Sequence, residues 1–545
     1  MEEEMKEVNI DEKEDQNGNG NGNSNGNGNG NGNGSSVVHP PLLDCLKSLP
    51  ISSIPLLSSI LYTPQNPSYS TILNSHIRNL RFATPTTPRP LLIVTPLDAS
   101  HVQGAVTWAK KVGIPMRVRS GGHDYEGLSY VSEAPFLLLD MFNLRSIEMN
   151  LEEETAWVQA GSTLGELFYS IAKRSRTHGF PAGVCPSVGV GGHFSGGGYG
   201  NMMRKFGLTT DNVVDAEIVD AKGRVMNREA MGEDLFWAIR GGGGASFGVI
   251  IAYKIKLARV PEIVTVFQLS RTIEENAIDA VLQWQEMAST VDNDLFIRLC
   301  MDVVDEGTRG ERTVKSTFIA LFLGNAERLL SLMSKHFPKL GLKRSDCHEM
   351  SWIESVLFWA DFPVDSSLEV LLEREPPKRT HLTRKSDYVK DPIPRSGFEF
   401  IWKNMIELGP PLGLKFNPYG GKMSEISEDA TAFPHRKGNL FKIQYLVNWD
   451  EEGKEMETHY MGLLRKLYSY MTPFVSKCPR QAYLNYRDLD LGVNHHGEKK
   501  RGHMEGMKYG VQYFMNNFDK LVEIKTKIDP DNFFKNEQSI PTLPN

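Results

Sequence analysis

The sequence predicts an α+β fold of two domains, and three observations carry that expectation. Apolar runs of strand length alternate with helically spaced ones from about residue 90. Glycines crowd two segments, 185–200 and 241–244. Beyond about residue 261 the texture shifts to helices and strands richer in Met, Trp and charge. With 545 residues and 40% hydrophobic content, the chain can bury one or two sizeable cores.

Residues 1–36 open acidic and continue as nearly pure Asn-Gly, with no apolar surface to offset chain entropy, so a disordered tail is expected there. The first domain is expected over 37–260, with its core from about 86. Residues 91–95 form an apolar run ended by Pro96. After Asp98, residues Val102, Ala105, Val106 and Ala109 recur at helical spacing, and 115–119 is extended again, which reads as a β-α-β unit. Residues 155–160 look like a strand. Thr163 and Glu166 then make a capping-box pair ahead of Leu164, Leu167, Phe168 and Ile171. The second domain is expected over 261–490, and 491–545 returns to the first, ending in a turn at 529–534.

Several functions are disfavoured by composition. A net charge of -7 leaves no basic stripe for a phosphate backbone, so no nucleic-acid partner is expected. The Leu/Ile-rich stretch 42–61 is broken by Pro50 and Pro55 and contains Lys47, so no segment reaches the roughly 20 apolar residues of a membrane span. Cysteines at 45, 185, 300, 347 and 478 show no metal-type CxxC spacing and no dense disulfide framework. His495, His496 and His503 lie among lysines and read as a solvated loop, so no metal site is expected.

In residues 185–200, CPSVGVGGHFSGGGYG, the glycines are interspersed with Val, His, Phe and Tyr, which suit a solvated spacer poorly. The backbone there must approach something closely, and AIRGGGGASFGVII at 238–251 asks for the same explanation. No GxGxxG follows a strand and no GxxxxGK[ST] occurs, which argues against a Rossmann site and a P-loop. The segments suit a ligand extended across several loops, with backbone N–H groups meeting a pyrophosphate.

Two of these segments are specific enough to resemble a family. Arg119-Ser120-Gly121-Gly122-His123-Asp124-Tyr125-Glu126-Gly127 and Cys185-Pro186-Ser187-Val188-Gly189-Val190-Gly191-Gly192-His193 are similar to the two flavin-attachment loops of plant berberine bridge enzyme-like oxidases. Segments 234–248, 483–492, 529–534 and 538–541 extend the resemblance over residues 40–545. Within that family the chain resembles monolignol oxidoreductases and cannabinoid-forming oxidocyclases.

The resemblance implies a PCMH-type FAD-binding domain joined to a substrate domain whose antiparallel sheet roofs the flavin. It also implies bicovalent FAD, with His123 on the 8α-methyl and Cys185 on C6. Cofactor contacts carried over with the motifs are Arg119, Ser120, Gly121, Gly122, Asp124, Ser129, Val188, Gly189, Val190, Gly191, Gly192, His193, Gly248, Val249, Ile250, Tyr483 and Asn485. The chemistry agrees: an imidazole and a soft thiol on glycine-flanked loops can reach a planar ring, and two attachments raise its potential. A lone loop His is more often a hydrogen-bonding residue and a lone Cys a core residue; the two motifs together carry the assignment.

The resemblance places Tyr199, Lys442, Gln444 and Tyr486 at the catalytic face. Lys442 and Gln444 are two apart in the strand-like KIQYLV and share one face. An ammonium near a phenol favours the phenolate, so Tyr486 is expected to be a base at neutral pH, taking an alcohol or phenol proton as hydride leaves for the flavin. The plainer alternative has Lys442 pointing outward and both tyrosines merely packed. Val188, three residues after Cys185, is smaller than the Leu or Ile of oxygen-poor members, so an oxidase making hydrogen peroxide is expected.

The expected substrate is a small plant specialised metabolite: an allylic or benzylic alcohol, an alkaloid, or a phenolic precursor that cyclises. Alternatives are a non-redox FAD-dependent cyclase and a flavin-binding storage or defence protein. Secreted relatives pair a cysteine near the N-terminus with one in the helix after the first strand; here Cys45 is present but Trp108 stands at the partner position. Tyr509-Gly510 replaces the usual Trp-Gly. With no basic, apolar signal-like start, the expected location is cytoplasmic, a different native N-terminus allowing the vacuole or secretion. A monomer is expected.

Overall fold

The computed structural model describes residues 57–306, 311–363, 365–375 and 378–544. The expected tail over 1–36 and Cys45 lie outside them.

Strands Leu92–Val94 and Met116–Arg119 flank helix Ala99–Val112, giving the β-α-β order read from the apolar pattern. The two strands do not pair with each other, because Leu137–Asp140 lies between them, parallel to both. The helix begins where the Asp98 carboxylate accepts the N–H groups of Ser100 and His101, and ends at Gly113, whose φ of 72° suits the left-handed cap. Its buried face includes Val102, Ala105, Val106 and Ala109.

A five-stranded antiparallel sheet follows, in the order Ile147–Asn150, Thr155–Gln159, Val249–Lys256, Val213–Val219 and Val225–Met226. The Thr163 and Glu166 box caps helix Leu164–Ala172 as the sequence suggests. The C-terminal helices Lys499–Phe514 and Asn517–Ile528 share this core through Tyr513, Phe518, Leu521 and Val522. Lys525, fully buried, donates to the Ser246 and Phe534 carbonyls and pairs with Asp529, tying the chain end to the second glycine cluster. His503 sits in a helix rather than a loop, and His495 pairs with Glu505.

Between these parts lies a seven-stranded antiparallel sheet, in the order His348–Met350, Val264–Arg271, Glu311–Phe322, Leu295–Glu306, Leu412–Pro418, Phe441–Trp449 and His381–Val389. Period-two alternation divides its faces. Phe441, Ile443, Tyr445, Val447 and Trp449 enter a second hydrophobic core, packed with Phe398, Ile401, Leu464 and Leu467 of helices Arg395–Leu408 and Lys454–Tyr470. Gln444, Leu446 and Asn448 on the other face look into a cavity. Two cores and two kinds of sheet make this a two-domain α+β fold.

Candidate active site

The cavity, of about 550 Å³, lies between the glycine loops and that sheet face. From the first loop, Ser120, Gly121, Gly122, His123, Asp124 and Ser129 line it; from the second, Cys185, Val188, Gly189, Gly191, Gly192 and His193. Gly248, Ile250, Tyr483 and Asn485 complete the expected cofactor set on the wall. The loops touch backbone to backbone: a Cβ on Gly121 would fall 2.3 Å from the Gly189 nitrogen. Glycine is required there by close approach, as the sequence reading proposed.

Three residues expected at the cofactor are placed elsewhere. Arg119, unexposed, pairs with unexposed Asp140 at 2.7 Å and donates to the Ile72 and Leu73 carbonyls, because a buried guanidinium must be neutralised where it sits. It anchors the strand end that launches the first loop. The Val190 N–H is spent on the Ser162 carbonyl and its side chain is core. Val249 pairs with Val219 in the sheet and is likewise buried.

His123 and Cys185 converge on one hydroxyl. Ser187 Oγ lies 3.1 Å from His123 Nε2 and 3.6 Å from Cys185 Sγ. Burial, helped by the positive Arg78, pushes His123 down to about 3, so its ring is neutral and carries a nucleophilic lone pair. Cys185 is in no disulfide and is exposed to the cavity. His193, also lowered to about 3 by burial and then by Lys442, accepts the Gly183 N–H at Nε2 (3.0 Å) and so keeps the loop in place.

The four expected catalytic residues meet. Lys442, 1% exposed, places Nζ 3.1 Å from the Tyr199 ring centroid, 3.9 Å from Tyr483 and 4.4 Å from Tyr486. The Tyr199 and Tyr486 hydroxyls hydrogen-bond to each other. Tyr483 is fixed by N–H donors from Gly198 and Asn485, each at 3.0 Å. Gln444 donates to the Tyr125 hydroxyl at 3.1 Å.

The electrostatics correct one expectation. Burial pushes Tyr486 well above its ordinary 10, and burial with the positive Arg298 pushes Lys442 well below 10.5. Both directions run against the phenolate and ammonium expected at neutral pH.

Sequence reasoning missed Ser187, Tyr125 and three cavity cations: Arg298, Arg384 and Lys415. Tyr125 could have been found as the residue two after His123 in the same motif. The cations had no local signal.

The glycine cradle, the paired His123 and Cys185, and a roof of tyrosines fit an FAD, and the fold with this site defines an FAD-dependent oxidoreductase. A family profile described as FAD binding domain matches residues 90–228, and one described as berberine and berberine like matches 482–541. The chain is 55% identical over 502 residues to berberine bridge enzyme-like 8 of Arabidopsis thaliana, covering 92% of this chain and 94% of that one. The solved berberine bridge enzyme of Eschscholzia californica superposes with a TM-score of 0.86 at 38% identity, covering 92% of this chain and 99% of that one. The grass pollen allergen Phl p 4, described as having glucose dehydrogenase activity, gives 0.86 at 42%, with 92% and 100% covered; its isoleucine-to-valine variant is described as a glucose oxidase. The chain belongs to the berberine bridge enzyme-like family.

Proposed function

We propose that the protein is an oxidase of a small plant alcohol or phenol, with FAD held covalently by His123 and Cys185 and oxygen as the final acceptor. The observation that carries this reading is that the hydrogen-bonded pair Tyr199 and Tyr486, with Lys442 Nζ against their rings, lines the same cavity as His123 and Cys185. When bound, FAD supplies a two-electron acceptor that oxygen reoxidises with release of hydrogen peroxide.

The chain's own residues handle the proton. Tyr486 takes the proton of the substrate hydroxyl while the carbon gives up its hydride, so the alcohol becomes a carbonyl compound and one proton remains in the cluster. Lys442 makes this feasible: moving the phenol proton to its amine creates ammonium and phenolate without changing the total number of protons. The three ring faces then stabilise the ammonium. Gln444 and Tyr125 supply a fixed hydrogen-bonding edge that orients the substrate.

Val188 lines the cavity as a small side chain. That a single isoleucine-to-valine change separates the neighbour described as a dehydrogenase from the one described as an oxidase supports reading Val188 as permitting oxygen access. The neighbours' glucose activities also bring sugar hemiacetals within the alcohols considered.

Anaerobic mixing with candidate alcohols tests the proposal. Bleaching of the flavin band followed by peroxide on admitting air is expected. Product without bleaching would mark a cyclase, and neither product nor bleaching across the alcohol, phenol and sugar classes would mark a binding protein.

A further inference from the structure

The cavity face of the seven-stranded sheet carries three basic side chains besides the Tyr199–Tyr486–Lys442 cluster. Arg298, Arg384 and Lys415 line the cavity from three strands other than Phe441–Trp449. Sheet register groups them around the catalytic strand: Lys415 stands opposite Gln444 on one side and Cys300 on the other, and Arg384 stands opposite Leu446. Arg384 also lies 5.6 Å from the Tyr125 ring centroid.

Among the described residues no Asp or Glu comes within 4 Å of any of the three. Arg298, only 8% exposed, donates Nε to Asn417 at 2.7 Å. Arg384 donates to the Thr383 and Val447 carbonyls and to Asn448. Lys415 Nζ makes no hydrogen bond among the described residues. Asp302 acts on Lys415 from farther away, and burial raises its own pKa toward the neutral form; burial first, then Arg298 and Arg384, push Lys415 down.

Like charges gathered in a desolvated wall are costly unless an anion joins them, and guanidinium forks match carboxylates. The FAD pyrophosphate does not answer this need, because the contacts suited to it are backbone N–H groups of the glycine loops. The cations instead share the face of Gln444, beside Tyr125.

We propose that this face is an anion subsite, and that the substrate carries a carboxylate bound by Arg298, Arg384 and Lys415 while its oxidisable hydroxyl lies at Tyr486. The substrate half of this statement rests on the oxidase reading; the subsite does not.

The test is a titration of flavinylated holoenzyme with two matched pairs, D-glucuronate against D-glucose and benzoate against benzyl alcohol, followed by perturbation of the oxidised flavin band. Each mixture is then held anaerobically. The acids are expected to bind at least about tenfold more tightly than their neutral partners, and raised salt should narrow that advantage. Lys415→Met and Arg384→Gln, each retaining its flavin, should each erase most of it. Equal binding of acids and neutrals, an advantage that survives both substitutions, or loss of flavin from both variants overturns the subsite. Acid-selective perturbation without bleaching by any probe supports the subsite and counts against the oxidase reading alone.

Discussion

Lys442 Nζ lies 3.1 Å above the ring of Tyr199, whose hydroxyl is bonded to that of Tyr486. The amine thus touches the π face of one phenol while that phenol's oxygen reaches the second. Lys442 and Tyr486 are both driven toward neutrality by burial, and Lys442 Nζ lies 4.4 Å from the Tyr486 ring centroid.

Replacing Tyr486 by Phe keeps the ring and removes the acceptor. Turnover of any substrate should fall by about 10²–10⁴-fold, the usual worth of a positioned base, while covalent flavin content stays at the wild-type level. Stopped-flow flavin reduction measures this, and an unaltered rate would exclude Tyr486 as the base.

The pH dependence follows from Lys442. Its lowered pKa means that the amine is neutral above that value and able to take the phenol proton; below it the amine is already charged and the acceptor is lost. kcat/KM should therefore fall as pH drops through the lowered pKa. In Lys442→Met this acidic limb should vanish, with a lower rate throughout. An identical profile in the two proteins counts against the shared-proton account.

Much of the site was legible locally. The alternation in KIQYLV put Lys442 and Gln444 on one face, and the glycine spacing around His123 and Cys185 demanded close approach, which the Gly121–Gly189 contact supplies. What was not legible depends on sheet order and burial. Arg298, Arg384 and Lys415 are far apart in sequence and meet only because their strands surround Phe441–Trp449. Arg119 sits within the motif, yet its side chain answers to Asp140 behind the strand. The lowered pKa of Lys442 reflects desolvation, which residue identity alone does not reveal.

Val188→Leu should narrow the space beside the flavin loop. Reoxidation of reduced enzyme by air should slow by at least about tenfold with reduction unchanged, read by mixing photoreduced enzyme with oxygenated buffer. Equal reoxidation rates would remove Val188 as the gate.

Asp140→Asn strips the counter-charge from the buried Arg119. Loss of about 3–5 kcal/mol is expected in denaturant unfolding, and much of it should return in an Arg119→Met, Asp140→Leu double variant. A loss below about 1 kcal/mol would mean that the pair does not anchor the first loop.

The central claim is that His123 and Cys185 hold one flavin between them. Peptide mapping by mass spectrometry tests it most directly: a flavin adduct linking the peptide of His123 to that of Cys185 is predicted, with colour retained on acid precipitation. A polypeptide of unmodified mass, or one that releases all its flavin into acid, would contradict it.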